Sequence, residues 1–495
     1  MKKLILFISL ITASIFPSKA QDYEWAYTSG QASISNVAAI RKDHDNNFYF
    51  ASQRDTFVTH LYSDLEKRDN NQQLLWTKHL SGEVFITDLE INSANNVVVI
   101  GYYMDSVSLD GITLTNSSFL YSGFIFEADE NGNLLWLHDI NAVNDEFKPI
   151  ELFIAQNGFM YITTEISGIT NDFTSFHKLD LQGNIIQSEF NNNTEVRTYT
   201  NILADNEGNV YLSGTCGNFA TFDTIDANIN YSYQNFVIKY DSSFNAQWFH
   251  SRDYITFDHN NSLQTNGQSL FWSFVDYTNQ SSDTVKIVNI ENNGTMLPDF
   301  AGPIPQAFFP GTQFAMDSSG YSVLVFEIFS RLFLYRYDPT FNLIWQDTIL
   351  TGASGFPLTS DLVCYDSTFY LAARYYNDTL QIGNFTLLNP NVGDNSPSDN
   401  FLAKWSAAMI TSVGEIENES IFIYPNPAND KIQFVTKSNI NVPKEIKIYN
   451  AIGSEVYSKY KSTLESIDVS QFSNGLYFLK IKSGDVVQRG KFVKQ

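Results

Sequence analysis

A short strand-like motif recurs seven times along this chain, and that recurrence limits the fold more than any other feature. The copies are NFYFASQ (47–53), NVVVIGYY (96–103), FMYITTEI (159–166), NVYLSGT (209–215), SLFWSFVDY (269–277), YSVLVFEIF (321–329) and TFYLAARYY (368–376). Each is a run of aromatic and β-branched residues that favours a pleated, buried strand. They are spaced by roughly 45 to 60 residues, the length of one four-stranded unit. A unit of that kind cannot bury both faces alone, so the copies must pack against one another.

The clearest whole unit is NILADNEGNVYLSG (201–214) with NFVIKYDSSFNAQWFHS (235–251). It reads as four short strands whose Gly-Asn and Phe-Asn corners supply the positive φ of a hairpin. The fourth strand recurs as LLWTKHL (74–80), LLWLHDI (134–140), NIIQSEF (184–190), AQWFHSR (246–252), TMLPDF (295–300) and LIWQDTI (343–349), which is six copies. Ile186 and Met296 stand where Trp is expected in two of them. The seventh repeat ends in FLAKW (401–405), a third strand, and DYEWAYT (22–28) carries Trp25 in the fourth-strand pattern. The expectation is an all-β chain: a seven-bladed β-propeller over 21–410, closed by strand 22–28 so that no sheet edge is left open.

Composition agrees, with 15% aromatic, 17% charged and 43% hydrophobic residues. The net charge of −24 conceals a boundary. Residues 21–416 carry 16 basic against 46 acidic side chains, whereas 417–495 carry 11 against 8. So acidic a body argues against nucleic acid and anionic membrane surfaces as partners. At the N-terminus, Lys2, Lys3, an apolar run and Ser18-Lys19-Ala20 read as a secretory signal peptide over 1–20, with cleavage between Ala20 and Gln21. That run is shorter than the roughly 20 apolar residues of a membrane span, and no later segment approaches that length. The mature chain is therefore expected to be soluble.

The stretch IFIYPNPANDKIQF (421–434) opens a different region after a polar linker, 411–420. Two prolines one residue apart forbid central ladder pairing and place the segment at a kinked edge. KIQFVTK (431–437), EIKIYN (445–450), EVYSKY (455–460), LYFLKIKSG (476–484) and VVQRGKFVKQ (486–495) follow as strands. Together they predict a small Ig-like β-sandwich over 421–495.

Two resemblances can be placed on these residues. DENGNLLW (129–136), DNEGNVYLSG (205–214) and DPTFNLIW (338–345) resemble the secreted bacterial β-propeller repeat. YPNPANDKIQF (424–434), IYNAIGSEV (448–456), SQFSNGLYFLKI (470–481) and KFVKQ (491–495) resemble the type A C-terminal sorting domain of the type IX secretion system of Bacteroidetes. The residues that carry the second resemblance are Tyr424, Pro425, Asn426, Pro427, Asn474, Gly475, Tyr477, Lys491 and Lys494. It implies export across the inner membrane by the signal peptide and across the outer membrane by the tail, with the translocon and sortase-like machinery as partners. In such proteins the tail is commonly removed and the cargo released or attached to surface lipopolysaccharide. It also implies candidate O-glycosylation at Asp-Ser/Thr sites: Ser106, Thr224, Thr284, Thr348, Ser367 and Thr379. Eukaryotic N-glycosylation at matches such as Asn116 does not apply in a bacterium.

Chemistry is sparser. Asp43, His44 and Asp45 cluster in DHDNN (43–47), but DENGN and DNEGN place Gly fourth rather than sixth, the pattern of a hairpin turn and not of a calcium loop. HExxH, GxSxG and a Gly-rich phosphate loop are absent from the sequence, and no cofactor or catalytic residue is indicated. His60, His79, His138 and His250 fall on strands and read as edge or core residues. Trp76, Trp136, Trp248 and Trp345 recur at one position and read as packing between neighbouring units, and Trp272 reads as core. Cys216 and Cys364 read as buried free thiols rather than as a disulfide. Two functions stay open: a noncatalytic module that binds an extracellular glycan or protein, and a hydrolase or lyase using carboxylates around a central channel.

Overall fold

The computed structural model describes residues 23–28, 34–55, 62–118, 120–141, 145–167, 172–191, 193, 195–227, 234–253, 261–266, 269–276, 284–298, 300–303, 312–328, 330–352, 359–365, 368–389, 399–406, 422–424, 426–435, 444–450, 454–461, 466–483 and 486–495. Ala20, Gln21, His60, Ser367, the linker 411–420 and Pro425 lie outside these residues. The chain divides into two compact units, Met1–Ala407 and Ala408–Gln495. Among the described residues every regular element is a strand.

In the first unit the strands form seven antiparallel four-stranded blades. Blade 1 is Ile34–Lys42, Phe48–Asp55, Tyr62–Arg68 and the first half of the long strand Leu74–Ile91; the second half of that strand begins blade 2, followed by Val97–Leu109, Ser122–Ala128 and Leu134–Ile140. Blade 3 is Lys148–Ile154, Met160–Ser167, Asp172–Leu179 and Ile185–Asn191. Blade 4 is Val196–Ala204, Val210–Cys216, Gln234–Tyr240 and Ala246–Asp253. Blade 5 is Asn261–Thr265, Leu270–Asp276, Thr284–Ile290 and Phe300–Pro303. Blade 6 is Thr312–Met316, Ser322–Ile328, Arg331–Tyr337 and Leu343–Leu350. Blade 7 is Thr359–Tyr365, Thr368–Tyr375 and Asp399–Ser406, completed by Tyr23–Thr28 from the other end of the chain.

The first strand of each blade packs against the first strand of the next, from blade 1 round to blade 7 and back. That closed circuit is a propeller. The strand patterns follow from it, because a blade's middle strands are covered on both faces by neighbours: Ser122–Ala128 and Val210–Cys216 are buried at every position. The outermost strand has solvent at its edge, and Leu343–Leu350 is mostly exposed.

The recurrent Trp packs across blade boundaries. In every outer strand that carries it, Trp lies opposite the same third-strand position: Trp76 with Lys67, Trp136 with Glu127, Trp248 with Lys239, Trp345 with Arg336 and Trp25 with Lys404. In blades 1, 2 and 4 its ring covers the third turn of the next blade. Trp76 meets Gly132, Trp136 meets Gly183 and Trp248 meets Gly294, where an added Cβ would approach the indole to 3.0, 2.8 and 2.8 Å. These glycines also have φ near +80° to +90°, which disfavours any side chain there.

The two departures from the Trp pattern need correcting. Register places Gln187, not Ile186, opposite Lys178 in blade 3. In blade 5 Met296 makes an isolated bridge to Ile290, so Pro298 takes the Trp position, and the paired outer strand is Phe300–Pro303 rather than 295–300. In both cases the next blade supplies the missing ring. Its turn carries Phe in place of Gly: Phe244 (φ 64°), packed 4.5 Å from Phe176, and Phe341 (φ 60°), 5.5 Å from Phe300.

In the second unit Phe422–Tyr424, Lys431–Val435 and Ile467–Asp468 form one sheet; Glu455–Lys461, Lys444–Asn450, Gly475–Ser483 and Val486–Lys494, in that spatial order, form another. Ile432 and Ile467 from the first share a core with Ile446, Ile448, Leu479 and Ile481 from the second.

Candidate functional site

The motif residues of the tail converge on the last strand. Phe422–Tyr424 pairs with Lys431–Val435 and stops before Pro425. The segment beyond the prolines then reaches Val486–Lys494. Val493 N donates to Asn426 Oδ1 at 2.9 Å, and Asn426 Nδ2 donates to the Lys491 carbonyl at 3.3 Å. Ala428 N donates to the Val493 carbonyl at 2.8 Å, and Gln495 N to the Ala428 carbonyl at 2.9 Å, a parallel bridge. Pro427 is exposed, and the Asn426–Pro427 peptide is cis.

On the other side of the last strand Gly475 pairs with Lys494, and Tyr477 with Phe492. The Tyr477 ring stacks on Phe492 at 5.5 Å and its hydroxyl donates to the Ser473 carbonyl at 2.8 Å. Asn474 and Lys491 are exposed, whereas Lys494 is buried. The segment around Pro427 therefore does more than end an edge. Asn426 and Ala428, on either side of Pro427, hold the end of the terminal strand, which would otherwise be a free edge.

A second cluster lies where the innermost strands of blades 7, 1, 2 and 3 meet. Arg41 of blade 1 reaches Asp361 of blade 7 at 2.7 Å and Asp88 and Glu90 of blade 2 at 3.0 and 2.8 Å. Glu151 of blade 3 completes the group. Burial, and then the Glu90, Asp88 and Asp361 charges, act on Arg41 in opposite senses, and the charges win and push its pKa up. Burial and the neighbouring carboxylates raise the Asp88 pKa to about 7, against the pull of Arg41. Burial and then Asp88 hold the Glu151 carboxyl well above the usual carboxylate range.

Asp88 and Asp361 are also blade staples. Each follows a bulge in its strand, at Ile86/Asp88 and Thr359/Asp361. Asp88 accepts from Leu89 N on one oxygen and from Leu152 N of blade 3 on the other, at 2.8 and 2.9 Å. Asp361 accepts from Leu362 N and from Ile40 N of blade 1, at 2.8 and 2.9 Å. Asn201 of blade 4 repeats the device, accepting from Leu263 N of blade 5 at 2.9 Å. The cluster escaped the sequence analysis, which aligned second and fourth strands; TDLEI, IELFI, TNILA and SDLVC, set side by side, place Asp88, Glu151, Asn201 and Asp361 at one position.

The remaining candidates separate. Asp43 Oδ1 accepts from Asp45 N and Asn47 N, and its carboxylate pairs with Lys67 at 3.0 Å, so DHDNN is a turn. Among the described residues no group of three or more His, Cys, Asp and Glu could hold a metal ion. His79 lies 2.8 Å from Asp64, His138 stacks on Trp136 at 5.1 Å, and His250 lies 2.7 Å from the Gly294 carbonyl. His177, which the sequence did not single out, is buried among Thr164, Ser175 and Ser188, and burial pushes its pKa down to about 4. Trp272 is fully buried, 4.3 Å from Phe274. Cys216 and Cys364 are not joined in a disulfide; Cys216 is buried but Cys364 is only half-buried, a correction to the expectation of two buried thiols.

Of the candidate hydroxyl acceptors, Thr224, Thr348 and Thr379 are exposed and Ser106 is half-buried opposite Thr115. Thr284 starts the third strand of blade 5.

Residues 422–495 match the family of secretion system C-terminal sorting domains. No curated protein matches the chain. Among solved structures, the polysaccharide lyase Uly1 is similar at 10% identity and TM-score 0.45, covering 80% of this chain and 94% of the lyase. The β-propeller domain of the trilobed protease from Pyrococcus furiosus is similar at 9% identity and TM-score 0.42, covering 71% and 90%. A protein of unknown function from Bacteroides caccae is similar at 10% identity and TM-score 0.33, covering 58% and 89%. At these values the likenesses bear on neither activity nor ligand. The matched tail engages the type IX secretion machinery, and the chain is an exported propeller protein, secreted or held at the cell surface, that ends in a C-terminal sorting domain.

Proposed function

We propose that the propeller is a noncatalytic binding module, and that its extracellular glycan or protein ligand seats on the rim formed by the connections from second to third and from fourth to first strands. The observation that carries this reading is the contrast between the two rims. Turns between third and fourth strands are nearly uniform, as in 69–73, 129–133, 180–184, 241–245 and 338–342. On the opposite rim the connections from second to third strands run from 329–330 in blade 6 to 376–398 in blade 7. Some of them carry hairpins of their own, Thr221–Phe222 with Ile225–Asp226 and Thr379–Ile382 with Phe385–Leu388. A rigid scaffold with most of its length variation on one rim is the arrangement of a recognition surface.

The hydrolase or lyase reading is favoured by Glu151, whose carboxyl is held above the usual carboxylate range by burial and by Asp88, the direction a general acid needs. Against it, Asp88 and Asp361 spend both carboxylate oxygens on backbone amides and Arg41. The purified chain, incubated with a panel of polysaccharides and peptides, separates the two. Retention without product supports binding; released product overturns it, and loss of that product in Glu151→Gln would assign the acid.

A further inference from the structure

Among the described residues, the four-stranded sheet of the sorting domain has one covered face and one uncovered face. Strand alternation sends Ile446, Ile448, Leu479 and Ile481 into the core shared with the three-stranded sheet. The same alternation sends the intervening residues outward, and they are not the polar set expected of a solvated face. Leu476 and Val493 are register partners, exposed by 38% each, and Phe478 beside them is exposed by 43%. Phe478 lies between Tyr449 on one neighbouring strand and Lys491 on the other. One pleat further along, Lys447 lies opposite Lys480; Lys447 is ion-paired with Glu445 and Glu455 at 3.2 and 3.3 Å, so the positive charge beside the apolar end is that of Lys480 and Lys491.

We propose that this uncovered face is the surface by which the tail docks on the secretion machinery, and that the machinery presents an apolar patch flanked by acidic side chains. Three facts join here. Adjacent exposed Leu, Phe and Val on one sheet face mark an interaction site. The lysines next to them select a partner of opposite charge and speed its encounter. The domain that bears them is the one matched as a sorting domain, so the occupant is the machinery rather than a second copy of the chain. The inference rests on that sorting role and assigns it to a face, where the hydrogen-bonded terminal strand serves to build the domain.

The test is export of the full chain from its own cells, read as the ratio of protein outside the cell to protein in the periplasm. One variant combines Leu476→Ser, Phe478→Ser and Val493→Thr; a second combines Lys480→Glu and Lys491→Glu; a third lacks 422–495. Each substitution set is expected to lower the ratio at least tenfold with an unchanged thermal melt of the purified chain, and Phe478→Leu alone to retain export. Wild-type export by either substitution set, with the deletion blocked, overturns the docking face. Should the serine set lower the melt, the glutamate set decides. Export of the deletion variant would instead remove the sorting role on which the proposal rests.

Discussion

Gly294 and Phe244 hold equivalent turn positions, and they show how single residues set the fit between blades. A Gly leaves room for the indole of the preceding blade, whereas a Phe replaces an indole that the preceding blade lacks. Gly294→Ala should cost more than about 1 kcal/mol, from positive φ alone. Phe244→Gly should cost about 3 kcal/mol through lost aromatic packing, offset in part by relief at φ 64°. Adding Gln187→Trp to Phe244→Gly should restore part of that loss, because it converts one solution into the other. Urea denaturation of the four proteins checks the cycle.

The central carboxylates carry a prediction about pH. Because the folded-state pKa of Asp88 is raised to about 7, its contribution is full at pH below the ordinary carboxylate value near 3.8 and is lost as pH rises through 7. Glu151 is shifted in the same direction and adds to the same fall. Glu151→Gln removes one of the two carboxyls whose folded-state pKa is raised, so stability should decline less between pH 4 and 7 than in the parent. Midpoints of urea unfolding across that range would show parallel curves if the cluster were uncoupled from folding.

At the level of strands, what could be read in the sequence depended on how each strand is covered. Second strands are buried on both faces and stand out as unbroken apolar runs, as in Val210–Cys216. First strands carry a bulge, which shifts alternation midway and hides the position shared by Asp88, Asn201 and Asp361. Arg41 was illegible for another reason: its partners come from strands 47 to 320 residues away, and one arginine among many acids has no local pattern. In the tail, the Pro-kinked edge could be read, but its grip on Lys491 and Val493 spans 65 to 67 residues and could not. Closure is an element-scale property as well. Deleting Tyr23–Thr28 removes the partner of Asp399–Ser406, along with Trp25 and its 4.9 Å stack on Phe48. The truncated body should melt lower and form strand-paired oligomers, seen by light scattering.

At the scale of the whole chain, the ring is closed by contacts of very long sequence separation. The Tyr23 hydroxyl donates to Asp347 at 2.7 Å across 324 positions, and Thr28 bonds Asp399 across 371. Contacts of such range make a domain slow to form. A circular permutant that places Tyr23–Thr28 directly after Ser406 would make closure local. It should refold faster than the parent while melting at a similar temperature, measured by stopped-flow fluorescence of the buried tryptophans.

The strand that finishes blade 7 is the first of the described strands to emerge in synthesis, and its partner is the last of the body. From the moment it appears until Trp405 follows, this segment has its contact with Phe48 but no strand to pair with. Until then the sheet of blade 7 lacks its outer strand, so the ring cannot shut on a half-delivered chain.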